Sequence, residues 1–74
     1  MADQILDTKG LNCPLPILKA KKAIHALASG ATLQVLATDP GSVKDFEAFC
    51  RTTGHPLLES GQDDGVFNFL IQKK

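Results

Sequence analysis

The sequence predicts an α/β fold of the α+β kind: a two-layer sandwich, βαβαββ, with two helices on one face of a four-stranded mixed sheet. Three observations predict it. Two segments place apolar residues at helical spacing, four shorter ones carry strand-like apolar content, and turn-forming residues separate them. With 74 residues, 43% of them hydrophobic, the chain reads as one globular domain over residues 1–74.

The first strand is placed at 4–8, with Ile5 and Leu6 as its apolar content, ending near Lys9-Gly10. From Leu15 to Ser29 the pattern turns helical. Ile17, Ala20, Ala23, Ile24, Leu27 and Ala28 fall on one side of a wheel turning 100° per residue. Gly30 stands where a left-handed helix terminus favours a residue without a Cβ. Thr32 to Thr38 alternates, with Leu33, Val35 and Ala37 on one side, as a strand does. Asp39-Pro40 is expected to open the second helix, Asp39 as its cap and Pro40 in the first turn, where a missing N–H costs nothing. Val43, Phe46, Phe49 and Cys50 make the apolar stripe of that helix, and Gly54 ends it. His55 to Ser60 is a short strand, 61–65 a turn, and Val66 to Gln72 a last strand aligning Phe67, Phe69 and Ile71. Packing both helical stripes on one face of the sheet gives the two layers.

Composition excludes several function classes. Eight basic and eight acidic side chains leave no net charge, so no global field draws the chain to nucleic acid or to an anionic membrane. No apolar run approaches the ~20 residues of a membrane span, and the first residues, MADQILDTKG, lack the pattern of a signal peptide. A cytoplasmic domain is expected. Cys13 and Cys50 form no Cys-x-x-Cys pair, and no His or carboxylate cluster has metal-ligand spacing, so neither a metal nor an organic cofactor is expected.

The chemistry concentrates at Gly10-Leu11-Asn12-Cys13-Pro14-Leu15-Pro16-Ile17-Leu18. Cys13 falls at the expected N-cap of the first helix. Pro14 and Pro16 sit in the first turn, where their lack of an N–H removes no hydrogen bond. The Leu15 N–H is expected to stay free to face the Cys13 sulfur. The positive end of the helix dipole favours thiolate by up to about 2 kcal/mol, or about 1.5 pKa units. Thiolate is the species that attacks a persulfide, and the same surroundings would steady a persulfide anion afterwards. A plainer role for Cys13 is that of a small residue at a tight helix start, although Ser, Asp or Asn cap better.

On the wheel, Leu15 and Leu18 lie opposite the core stripe, among Lys19 and Lys22. They read either as a docking patch with Lys19 and Lys22 as its charged border, or as leucines partly covered by Leu11-Asn12. Cys50, within its stripe, is expected to be buried and inert. His25 is expected to be solvated and His55 to serve a helix terminus. Asp39 is a cap; with Pro40-Gly41-Ser42 it also marks a possible secondary site, whose backbone N–H groups would meet an anion. Lys44 and Arg51 read as a solvated face, and Asp63 and Asp64 as turn residues.

Taken together these residues resemble the TusA/SirA/YedF family of small sulfur-relay proteins. The likeness runs from Leu6-Asp7 through the last strand. It centres on Cys13-Pro14-Leu15-Pro16, the family's Cys-Pro-x-Pro signature, with Asp39-Pro40, Phe49-Cys50 and Gly54-His55 at matching spacing. The resemblance implies the same βαβαββ sandwich. It also implies a sulfurtransferase whose Cys13 takes persulfide sulfur from a cysteine desulfurase or rhodanese-type donor. A downstream acceptor protein would then receive the sulfur for tRNA thiolation, molybdenum-cofactor supply or sulfur oxidation. The alternative is a regulatory module without chemistry, since the architecture also resembles a ribosome-binding domain of a translation initiation factor. Neutral charge and the absence of Trp and Tyr weigh against direct nucleic-acid binding. A thiol redox protein ranks last, because Cys13 has no nearby resolving cysteine.

Overall fold

A computed structural model of the chain describes residues 3–12 and 15–74. It contains β1 (Gln4–Thr8), α1 (Leu15–His25), β2 (Thr32–Ala37), α2 (Ser42–Thr53), β3 (Leu57–Asp63) and β4 (Val66–Gln72). The sheet order is β1-β2-β4-β3, with β1 and β2 parallel and the other pairings antiparallel. The expected βαβαββ sandwich with a mixed sheet is therefore what the chain forms.

Alternation in β2 and β4 turns Leu33, Val35, Ala37, Phe69 and Ile71 toward the helices, where they are fully buried. Ala20 and Ile24 of α1 and Phe46 and Cys50 of α2 meet them in one core. Phe46 stacks on Phe69 with ring centroids 4.7 Å apart, the offset geometry that aromatic pairs favour. Thr8 is buried beside this core at no polar cost, because its hydroxyl donates to the Leu36 carbonyl. Among the described residues no helix is long and apolar enough to cross a membrane.

Five boundaries differ from the sequence expectation, the smallest difference being that β2 ends at Ala37 rather than Thr38. Helix α1 stops at His25, not Ser29: the Ala26 and Leu27 N–H groups reach back only three residues, to the Ala23 and Ile24 carbonyls. The tightened turn ends the helix early and leaves Ala28 exposed. Gly30 does take a left-handed φ of 89°, but its N–H donates to the Lys73 carbonyl at 2.8 Å, which ties the turn to the end of β4. Helix α2 starts at Ser42, with Gly41 at its cap and no side-chain cap. Gly54 ends it as expected, at φ 83°, donating to the Cys50 carbonyl. Strand β3 runs over Leu57–Asp63, so Gly61, Gln62 and Asp63 belong to a strand rather than to a turn. The turn is the pair Asp64-Gly65, both at positive φ (53° and 81°), which is the backbone that a tight hairpin needs to match strand twist.

Candidate sulfur-transfer site at the start of helix α1

The β1–α1 and β2–α2 connections leave the same end of the parallel pair β1/β2, the end where open α/β sheets form binding crevices. Local hydrogen bonds hold the first connection. Lys9 N–H donates to the Asp7 carboxylate at 2.9 Å, and Leu11 N–H to the Thr8 carbonyl at 3.2 Å, with Gly10 at φ 84°. Gly10 N–H then crosses to the Thr38 hydroxyl at 2.9 Å, which latches the two connections together.

Cys13 and Pro14 lie outside the described residues, and their expected places at the helix start rest on sequence. Their neighbours are described. Leu15 N–H donates to the Asn12 carbonyl at 2.8 Å. This corrects the expectation that it is a free donor for the Cys13 sulfur: the amide is taken by the Asn12 carbonyl. Pro16 is fully buried, so besides sparing a hydrogen bond it packs the first turn of α1 into the domain.

Leu15 and Leu18 are 45% and 54% exposed, and Lys19 and Lys22 are exposed beside them. Two half-exposed leucines bordered by lysines thus stand on this side of α1. The patch continues into a groove of about 410 Å³ between the helices, where Ile17, Leu18 and Lys21 face Asp45, Phe49 and Thr53 of α2. Phe49 packs partly against the core, as its stripe predicts, and lines this groove as well, together with Lys21, to which the sequence gives no role. The signal for the groove was the meeting of the two stripes, which only the packing of α1 on α2 reveals.

The other candidates separate. Asp39 is not the N-cap of α2, a place that Gly41 takes: its carboxylate accepts Gly41 N–H at 3.2 Å, and its carbonyl accepts Ser42 N–H at 3.0 Å. This corrects both earlier roles, since two of the N–H groups expected to meet an anion are satisfied locally and a carboxylate stands at the helix mouth. Cys50 is a free thiol, 7% exposed, and burial pushes its pKa up, the opposite of what a nucleophile needs. His25 is exposed. His55 Nδ1 accepts Lys74 N–H at 3.0 Å, and its ring lies tilted at 5.9 Å from Phe49, so it fastens the end of β4 to the end of α2. Among the described residues no three His, Cys, Asp or Glu side chains gather as metal ligands would.

Comparisons with known proteins agree with this geometry. Residues 4–73 match the family model described as Sulfurtransferase TusA. The chain is 62% identical over 71 residues to the sulfur carrier protein TusA of Allochromatium vinosum, covering 96% of this chain and 93% of that one. It is 44% identical over 72 residues to the sulfur carrier protein TusA of Pseudomonas putida strain F1, covering 97% and 90% respectively. Among solved structures, the SirA-like protein of Desulfitobacterium hafniense superposes with a TM-score of 0.84 at 28% identity, covering 93% of this chain and 95% of the other. A match over nearly the full length, on the fold that the Cys-Pro-x-Pro segment introduces, means that the chain belongs to the TusA sulfurtransferase family.

Proposed function

We propose that this protein carries sulfur as a persulfide on Cys13, accepting it from a cysteine desulfurase or rhodanese-type donor and relaying it to an acceptor protein. Membership of a sulfurtransferase family supports sulfur transfer in general. What supports the finer reading is the sequence position of Cys13-Pro14-Leu15-Pro16, running into the start of α1, and the half-exposed Leu15 and Leu18 of that helix. In the first step the Cys13 thiolate attacks the terminal sulfur of the donor's persulfide. A new S–S bond forms on Cys13, the donor's S–S bond breaks, and the donor cysteine leaves as thiolate. The transferred sulfur keeps its oxidation state, so no external oxidant or reductant takes part. The second step repeats the attack, with the acceptor's nucleophile on the outer sulfur of Cys13 and Cys13 leaving as thiolate. The dipole of α1 favours the anion at each stage. The Leu15/Leu18 patch and its lysine border supply docking, so that the partner completes the site.

Intact-protein mass spectrometry after incubation with a cysteine desulfurase and cysteine tests this. The expected result is a gain of one sulfur atom on the wild type and on Cys50→Ser, removable by a thiol reductant and absent on Cys13→Ser. Sulfur retained on Cys13→Ser would overturn the assignment of the thiol. No sulfur from desulfurase, rhodanese or polysulfide on any variant would overturn the carrier reading.

A further inference from the structure

The sheet face turned away from the helices takes no part in the proposed transfer, and among the described residues no helix covers it. Because Leu33, Val35 and Ala37 point into the core, Gln34 and Leu36 point outward. The register sets Ile5 beside Gln34, Gln34 beside Leu70, and Leu70 beside Glu59. Ile5 is 62% exposed and Leu58 48%, so apolar side chains stand open on a face that a two-layer fold leaves bare. Strand β3 shifts register between Leu57 and Glu59. With Gly61 contributing no side chain, a groove of about 670 Å³ opens over β3 and β4, lined by Gln34, Leu58, Glu59, Asn68 and Leu70.

The polar groups in this groove have a defined sense. Gln34 Nε2 donates to Asn68 Oδ1 at 2.6 Å. That bond leaves the Gln34 carbonyl oxygen as an acceptor, across the groove and one strand beyond Leu70 from a Glu59 carboxylate that can only accept when ionised. Alternation along β1 and β3 puts Asp7 and Asp63 on the same face. Lys9, the cation beside them, holds its Nζ 3.9 Å from Asp7. The helix layer is the reverse, with Lys19, Lys21, Lys22, Lys44 and Arg51 against Asp45 and Glu47. Zero net charge therefore conceals two faces of opposite sign, and face-to-face pairing of two copies would oppose acidic rims.

We propose that this acidic, apolar-centred sheet face is a second docking surface, whose occupant is a basic amphipathic helix of a partner protein. Its apolar stripe lies over Ile5, Leu58 and Leu70, and an arginine enters the groove to meet Glu59 and the Gln34 carbonyl oxygen. Guanidinium suits this pair because it is planar and offers several donors in a fixed fork. The surface stands on a different layer from the α1 patch and does not involve Cys13.

The test is an NMR titration of the isotope-labelled full chain with a helical Leu/Arg amphipathic peptide, and separately with its Leu/Glu counterpart. The Leu/Arg peptide should move the backbone signals of Leu58, Glu59 and Leu70 and the side-chain amide signals of Gln34 and Asn68, with an affinity that falls as salt rises. Glu59→Lys should weaken binding about tenfold or more, the size of a lost charged hydrogen bond. Glu59→Gln, which keeps the shape, should weaken it less. Leu58→Ser should also weaken it, while Lys22→Glu and Cys13→Ser should not, and circular dichroism would confirm that each variant is folded. The proposal fails if the Leu/Arg peptide moves only α1 and α2 signals, if the Leu/Glu peptide binds the sheet equally well, or if the Glu59 and Leu58 variants bind unchanged. Sedimentation showing a dimer that Leu58→Ser dissolves would replace the basic helix with a second copy and likewise overturn it. None of these readouts depends on sulfur loading.

Discussion

Truncating Leu18 to Ala removes most of an apolar side chain that is 54% exposed in the free protein. Full burial of a leucine side chain stabilises by about 1.5–3 kcal/mol. Covering the open 54% of it in a complex would therefore contribute roughly 0.8–1.6 kcal/mol. At 1.4 kcal/mol per decade, Leu18→Ala should raise the carrier concentration for half-maximal sulfur acceptance about 4- to 15-fold. Leu18→Asp should do more, because it buries a charge. Stability should change by no more than about 0.5 kcal/mol, as for other surface positions. The assay measures initial rates of sulfur transfer from a cysteine desulfurase over a range of carrier concentrations, with polysulfide loading and small-molecule alkylation of Cys13 alongside. Docking predicts a defect confined to the protein donor. An unchanged half-saturation point with the desulfurase would refute the patch, and parallel loss with polysulfide would locate the damage in the fold or the thiol.

Three further outcomes follow from the core and its edges. Phe46→Ala, at a fully buried residue stacked on Phe69, should cost about 3–5 kcal/mol. Urea denaturation should show this as a large part of the roughly 4–11 kcal/mol expected of a domain this size. Cys50, with its pKa raised by burial, should resist iodoacetamide in native buffer and react only in urea, as mass spectrometry of its peptide would show; rapid native labelling would contradict its burial. His55 has a pKa lowered by desolvation and by the charges of Lys73 and Lys74. The folded state thus binds fewer protons than the unfolded one, and the His55 contribution to stability is present above pH 6.5 and lost as pH falls through the depressed folded value. Protonation would also remove the Nδ1 acceptor that Lys74 N–H uses, so the wild-type denaturation midpoint should fall below pH 6.5 and His55→Gln should flatten that fall.

Periodicity located the elements well where one face of each is buried. The bounds of β1 and β4 were legible because alternation and turn residues agree there. The end of α1 was not: Ala26 to Ser29 continue a helix-compatible pattern, and the chain leaves the helix to satisfy a hydrogen bond from Gly30 to β4. Asp39 was misplaced because a carboxylate that caps a helix and one that closes a turn two residues on use the same chemistry. Gly61 looked like a turn residue because a glycine in a strand is rare, and the bulge that accommodates β3 depends on its pairing with β4. The exposure of Leu15 and Leu18 was legible on a helix wheel, which sets them opposite the core stripe. The fate of the Leu15 amide depended on a carbonyl of the preceding loop, and the division of charge between layers is invisible to a net sum of zero.

Strand order has a consequence for the birth of the protein. Strand β4, the last of the four in the chain, lies between β2 and β3. Without residues 66–72, β1 and β2 have only each other to pair with and β3 has no partner strand. A ribosome stalled anywhere before Val66 would therefore display the exposed edge of β2 and the unfilled places of Phe69 and Ile71, a nascent species suited to chaperones and proteases rather than to native contacts. Completion of β4 supplies both pairings and two core residues at once, so maturation is closer to a single closing event than to growth from the N-terminus.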